Sequence, residues 1–454
     1  MIPRLDRDWL AALPQQFGLR SRPLNLRILG AALGVGLITG LVASGFRFTV
    51  HWLLVWRSHL ATMVAPLPIL SWLIPGLISG AMVALSFYLM RHFAPDTSGS
   101  GIPQIEGHLE GRLPMRWQRV LSIKFLGGML SLGAGLLAGF EGPTIQMGGS
   151  IGQMVSQWTK VNPENQRILI AVGAGAGLAA AFNAPLAGLV LIGEEMRPRF
   201  QQQTLGYHAL LCGCVMATLV LRIIHGQASV ISLTQFNRVP LESLWMFLLL
   251  GIFFGVMGYG FNYCLFRVLD WVDGLPSIAV SWKGWLLGGL IGVLSLVNLP
   301  LTEGGDNAII WAFNSQSHSY LLTAVFLCRF GLTLLCYGSG AIGGIFAPML
   351  ALASVSSVMV ARHFHQLFPT LIPEPAVMAI AGMGALVAAT VRAPLTAILL
   401  TIEMTDNYFV ILPLLVTCLV ASVVAESLGG KPIYTVLLER TLAKQAISTP
   451  RIME

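Results

Sequence analysis

Long apolar runs recur at about 25–56, 68–91, 120–138, 205–224, 242–272, 281–299, 318–336 and 408–428. Each is long enough to cross a bilayer whose hydrocarbon core is about 30 Å thick. Between them lie shorter, Gly- and Ala-rich runs near 143–157, 166–183, 185–195, 346–361, 374–391 and 394–404, which read as too short or too interrupted to span alone. Irregular backbone at membrane depth survives only where it is buried in protein or lines a cavity. The pattern therefore predicts an all-α membrane protein, a bundle of tilted helices around an internal path. It leaves no room for a further domain.

The breaks repeat. Gly139-Phe140-Glu141-Gly142-Pro143 and Gly344-Ile345-Phe346-Ala347-Pro348 are near-copies, and 122–143 aligns with 327–348 without a gap. In that block Phe125, Gly133, Gly135, Gly139 and Pro143 match Phe330, Gly338, Gly340, Gly344 and Pro348, and Lys124 matches Arg329. A second block aligns Gly173 to Glu194 with Gly382 to Glu403, pairing Ala184-Pro185-Leu186 with Ala393-Pro394-Leu395 and Glu194 with Glu403. Broken apolar segments at matching positions in two halves point to a transporter's binding site. The chain divides into 1–24, a helix expected at the membrane surface; 25–224, a first repeat; 242–430, a second; and 431–454, a C-terminal helix and tail. The alignment alone leaves open whether the halves are parallel or inverted.

Composition agrees with the membrane class. The chain is 55% hydrophobic and 10% charged, where a soluble protein carries about 25% charged residues. The formal charge of +7 is not read as a nucleic-acid signal; Arg4, Arg7, Arg20, Arg22 and Arg27 sit at the start of the first apolar run, and Lys431, Arg440, Lys444 and Arg451 follow the last. Positive charge beside the first and last spans places both termini in the cytoplasm, which requires an even number of crossings of the cell inner membrane. Asp6, Asp8 and Pro14 interrupt the N-terminal stretch, so it does not read as a cleavable signal. The six cysteines lie in apolar surroundings and read as packing, and the nine histidines show no metal spacing. No metal and no cofactor is expected.

Three loops share one design. Gly99-Ser100-Gly101-Ile102-Pro103 joins the two repeated breaks in placing proline at or near a first helical turn, where its missing N–H is not needed. The neighbouring N–H groups and the positive helix end then form an anion site without a full positive charge. Such a site desolvates an ion without trapping it. The competing reading is helix breaks that serve packing. Glu141 sits inside one of these loops as a tethered anion able to take an anion's place. Burial opposes its charge and the surrounding amides favour it, so protonation could release it and open the path. A structural pairing with Arg119 or Lys124 is the alternative. Glu194-Glu195, followed by Arg197 and Arg199, reads as an interfacial cluster for Glu194; Glu195 could also hand protons inward. Ser100 could be an ordinary N-cap, Tyr434 an aromatic-belt residue, and Glu106 a helix-end ion pair.

Taken together, Gly-Ser-Gly-Ile-Pro at 99–103, Gly-Phe-Glu-Gly-Pro at 139–143, Gly-Gly-Ile-Phe-Ala-Pro at 343–348 and the late Tyr434 resemble the CLC chloride channels and chloride/proton antiporters. Glu194-Glu195-Met196-Arg197-Pro198 is similar to the bacterial antiporter branch. The resemblance covers essentially the whole chain. It implies an inverted-repeat bundle of about eighteen helices, many tilted or not fully spanning, and a homodimer in the lipid with one ion path per subunit. The dimer face would use parts of 185–224 and 394–428. A central chloride would be held by the hydroxyls of Ser100 and Tyr434 and the amides of Ile345 and Phe346, and an inner one by amides at Gly99 and Ser100. An outer site would lie near Phe140, Gly142, Phe346 and Ala347, with Glu141 as gate and external proton acceptor. Glu195 would transfer protons on the inside, and Glu106 would play a supporting part. Ser100, where nitrate-preferring relatives have proline, favours chloride. Two departures stand out: Phe140 replaces a usual arginine beside the outer site, and Gln104 replaces a common acid.

The leading expectation is a secondary transporter, not an enzyme, that exchanges chloride against protons. A passive chloride channel of the same fold is the runner-up. An intramembrane serine protease is remote, because neither Ser100 nor Ser339 has an identifiable histidine partner.

Overall fold

The computed structural model describes residues 26–196, 204–231, 239–297, 299–314, 318–369, 371 and 374–448. The expected N-terminal surface helix, the residues after 448, and Arg197 and Arg199 lie outside the described residues. Within them are seventeen α-helices. The first half holds α1 (Leu26–Val64), α2 (Leu70–Phe93), α3 (Ile102–Leu109), α4 (Trp117–Gly133), α5 (Glu141–Trp158), α6 (Pro163–Phe182), α7 (Pro185–Glu194) and α8 (Thr204–His225). The second holds α9 (Leu244–Asp273), α10 (Ser277–Leu294), α11 (Asp306–Asn314), α12 (Ser319–Gly338), α13 (Phe346–Leu367), α14 (Pro375–Val391), α15 (Pro394–Thr405) and α16 (Ile411–Ser427), and α17 (Ile433–Ser448) follows.

Among the described residues, eight helices are long and apolar enough to cross a membrane, and two of them correct the sequence reading. The stretches at 166–183 and 346–361, expected to be too short, belong to α6 with 20 residues and α13 with 22. Both helices are mostly buried inside the protein. They contact other helices more than lipid, so Gly, Ala and polar residues replace the long apolar side chains that lipid exposure demands. Conversely, the long run at 120–138 forms only the 17-residue α4. The chain leaves it at Gly135, whose φ of +89° falls in the left-handed region that a side chain disfavours.

The packing pattern recurs in both halves. α1 lies on α8 as α9 lies on α16, α5 on α6 as α13 on α14, and α6 on α8 as α14 on α16. α5 and α6 meet backbone to backbone at Gly148 and Gly173, where a Cβ on either glycine would overlap the other's carbonyl. Corresponding helices also end alike. α6 stops at Asn183 (φ +57°) and α14 at Arg392 (φ +71°), each followed by the Ala-Pro that starts the next helix. Asparagine accepts the left-handed region readily. Arginine does so less easily, and Arg392 is held by hydrogen bonds from its guanidinium to the carbonyls of Ala389, Ser422 and Gly430.

The halves are inverted. α7 and α15, equivalent in the alignment, pack together, and each carries in its last turn a glutamate that caps the start of the other. Glu194 accepts from the amides of Leu395 (3.0 Å) and Thr396 (2.7 Å). Glu403 accepts from those of Leu186 (3.1 Å) and Ala187 (2.9 Å). Each C-terminus therefore lies beside the other's N-terminus, so the two helices run antiparallel. Glu194's oxygens thus face amides at the positive end of a helix, while the arginines of the expected cluster, Arg197 and Arg199, lie outside the described residues.

Candidate ion-binding site

Elementary helix chemistry assembles the site. α3, α5 and α13 start at the three glycine-rich breaks, and α17 starts beside Tyr434. The first turns of a helix leave amides without intrahelical partners. The three breaks meet at Gly142, where a Cβ would lie 2.8 Å from the Cα of Ser100 and 2.9 Å from the Cα of Gly344. Only glycine allows that approach. Gly139 and Gly344 exchange both backbone hydrogen bonds, each 2.9 Å, as an isolated antiparallel bridge. The amide of Gly343 donates to the Gly99 carbonyl at 3.2 Å and that of Gly99 to the Gly340 carbonyl at 3.3 Å, which ties in the first loop.

Glu141 is fully buried at this junction. Its Oε1 accepts from the Phe346 amide at 2.8 Å, and the Ala347 amide stands close by. A Cβ on Gly139 or on Gly344 would overlap the carboxyl group, so the two glycines form the walls of its seat. Lys124, offered as an alternative partner, turns elsewhere: its Nζ donates to the carbonyls of Thr97 (2.9 Å) and Gly99 (2.8 Å). Its counterpart Arg329 donates in the same way to the carbonyls of Pro300, Thr302 and Glu303. Each buried cation thus satisfies the backbone of the loop before a short helix, α3 or α11, and leaves the amide side of the breaks unneutralised.

The remaining residues singled out in the sequence distribute as follows. Gly99 adopts φ +65°, and Ser100 is buried. The serine does not cap its helix from the N-cap position, which Gly101 occupies, but its Oγ accepts from the Ile102 amide at 3.3 Å. Ile345 and Phe346 are fully buried and Ala347 nearly so. Tyr434 is fully buried, its ring 6.1 Å from that of Phe346, which removes the aromatic-belt reading. Its hydroxyl has no hydrogen-bond partner among the described residues and lies within electrostatic reach of Glu141 and Glu195. Glu195 is half-buried at the C-cap of α7, and Glu106 is half-buried on α3. Phe140 packs edge-on against Phe46 at 6.2 Å, so the aromatic ring is part of a small apolar cluster and leaves no cation in its place.

A vestibule opens on either side of the junction. One, of about 500 Å³, is lined by Gly99, Ser100, Tyr337, Lys283, Arg440 and Lys444 among others. The other, of about 590 Å³, is lined by Phe140, Ala347, Arg47, His51, Glu303 and Asp306 among others. Sequence reasoning did not reach Tyr337, Glu303 or Asp306. Carrying the repeat one helix upstream would have found the acids, because they precede and open α11 as the Gly99 loop precedes α3.

Two inverted halves, with broken helices meeting around a buried acid at membrane depth, define a secondary transporter of the inverted-repeat class. The chain belongs to the voltage-gated chloride channel family, the CLC proteins, whose description matches residues 82–426. It is 45% identical over 424 residues to the H(+)/Cl(-) exchange transporter ClcA of Salmonella typhi, covering 92% of this chain and 90% of that protein. The same identity and coverage relate it to ClcA of Salmonella agona strain SL483. Among solved structures, a slow cyanobacterial Cl-/H+ antiporter superposes with a TM-score of 0.91 at 75% identity, covering 92% of this chain and 99% of that one. A CLC-type fluoride/proton antiporter shares the fold, with a TM-score of 0.72 at 20% identity, covering 90% of this chain and 96% of that one.

Proposed function

We propose that this chain exchanges chloride against protons across the cell inner membrane, with both termini cytoplasmic. The observation that carries the reading is the seat of Glu141: a fully buried carboxylate held by the backbone amide of Phe346 where three helix starts meet. A place built for a carboxylate from amides suits a halide equally well. The two then compete. With Glu141 charged the outer position is occupied by the protein itself; with Glu141 protonated the acid gives up its claim and chloride takes the amides.

In this scheme the vestibule beside α17 faces the cytoplasm. Chloride enters past the amides of Gly99 and Ser100 and rests between the hydroxyls of Ser100 and Tyr434 and the amides of Ile345 and Phe346. It leaves by Gly142, Ala347 and Phe140. The orphaned, buried hydroxyl of Tyr434 supports the central position, because a buried donor without a partner is costly unless a ligand satisfies it. Glu195, at the C-cap of α7, receives protons from the inside. Glu106 lies on α3, one turn from Ile102, where it supports the inner end. The relatives at 45% and 75% identity carry exchanger names, which favours coupled transport over a passive channel.

An apolar outer face, with Leu186, Leu219, Ile223, Leu395, Leu412 and Val423 exposed on α7, α8, α15 and α16, supports a homodimer seated in lipid with one path per subunit. The deciding experiment measures the reversal potential of purified protein in bilayers under crossed chloride and pH gradients. An exchanger reverses away from the chloride equilibrium potential and shifts with pH. A reversal that follows chloride alone sinks the proposal.

A further inference from the structure

We infer that Tyr337, near the end of α12, is a positioning residue that fixes the direction of the Ser100 hydroxyl and so makes the serine a one-way donor toward the anion path. The inference rests on the reading of Ser100 as a chloride ligand. A serine hydroxyl has one proton to give and two lone pairs that accept, and it rotates to suit its surroundings. A freely rotating hydroxyl is therefore no anion filter, since it can turn a lone pair toward whatever passes.

At Ser100 both lone pairs are engaged. The Ile102 amide, which can only donate, reaches Oγ at 3.3 Å. The Tyr337 hydroxyl donates to the same oxygen at 3.3 Å from the vestibule side. The direction of the second bond follows from the chemistry of the two groups: a phenol is a stronger hydrogen-bond donor and a poorer acceptor than an aliphatic hydroxyl. With both acceptor positions taken, the Ser100 proton has one place left to point. Hydrogen bonds in a chain polarise one another in a low-dielectric interior, so the phenol also sharpens Ser100 as a donor. Both bonds are long for their type, and anion binding, by drawing on the Ser100 proton, tightens them.

The arrangement belongs to the tertiary structure. Tyr337 and Ser100 are 237 residues apart. The tyrosine is buried, and Leu132, its counterpart in the first repeat, carries no hydroxyl. Tyr337 thus breaks the symmetry of the halves at the one end where a side-chain donor is needed. An oriented hydroxyl matters most for an anion with tightly held water, which must be repaid with strong donors. Chloride is such an anion; thiocyanate, larger and more weakly hydrated, is not.

The test is a double-mutant cycle on the full chain, with chloride binding measured by isothermal titration calorimetry and with chloride and thiocyanate fluxes measured in proteoliposomes. Tyr337→Phe keeps the ring and should weaken chloride binding about three- to tenfold, the worth of roughly one hydrogen bond. It should lower the chloride-to-thiocyanate flux ratio in the same preparation, a ratio independent of how much protein is active. In a Ser100→Ala background the same change should alter chloride affinity by less than about twofold. Unchanged binding and selectivity in Tyr337→Phe overturn the inference. So does an equal loss in both backgrounds, which would mean that the phenol acts without the serine. If Ser100→Ala itself binds chloride like the unaltered protein, the assignment of Ser100 as a ligand fails, and this inference fails with it.

Discussion

The Phe346 amide donates to Oε1 of Glu141 at 2.8 Å, across 205 residues of sequence. One half of the chain thereby supplies the acid and the other half the amide that holds it. A neutral amide in place of the acid cannot be charged, and so it cannot compete with chloride or carry a proton. Glu141→Gln is expected to conduct chloride while losing proton movement to below about a tenth of the unaltered protein's. Its chloride flux should also lose its pH dependence, whereas flux through the unaltered protein should rise as pH falls and Glu141 is neutralised. Chloride-driven proton uptake that persists in Glu141→Gln vesicles would remove Glu141 from the pathway.

Glu195 stands at the end of α7, within electrostatic reach of Tyr434. Glu195→Gln should spare chloride flux and stop protons. The measurement is simultaneous chloride-electrode and pH recording in one vesicle suspension. An unaltered ratio of the two ions would return Glu195 to a surface role.

Gly344 walls the seat of Glu141, and an added methyl there would overlap the carboxyl group. Gly344→Ala should expel the carboxylate and reduce proton coupling at least several-fold while the protein still folds. A structure of the variant with Glu141 still bonded to the Phe346 amide would contradict this account.

Phe140 puts no charge into the vestibule that it lines together with Arg47, Glu303 and Asp306. Phe140→Arg adds a charge beside the site, worth at most about 2 kcal/mol at 8 Å and an effective dielectric constant of about 20. Chloride should bind about three- to tenfold more tightly and turnover should rise, with the gain shrinking at high ionic strength. The variant gives up packing against Phe46, so its melting temperature should drop. Unchanged affinity at low salt would show that this position does not feel the anion.

Glu194 and Glu403 cap each other's helices through four backbone amides. Alanine at either position should cost about 0.5–2 kcal/mol, the range for a lost N-terminal cap. Thermal unfolding in detergent, followed by loss of the folded-protein peak in size-exclusion chromatography, checks it. A change in proton coupling without loss of stability would mean that these acids serve transport instead of holding the helices.

Much of this was legible in the sequence. Glycine and proline mark backbone requirements directly, so the three breaks and their role as helix starts could be read before any coordinates, as could Glu141 within one of them. The long spans were legible because lipid selects for apolar side chains. α6 and α13 were misjudged for the same reason: they are shielded from lipid and need not be apolar. The bonds from Glu194 to the start of α15 were not legible, because backbone amides that are free to accept a cap leave no residue-type signature.

The sequence alone determined that two related halves each carry a broken helix, and that one break holds an acid where the other holds a phenylalanine. Which way the halves face, that three loops touch at Gly142, and that Tyr337 reaches Ser100 were decided only by the tertiary structure. Local rules of helix starting act within a few residues and are written in residue types. The meeting of helix ends from opposite halves depends on how the whole bundle packs.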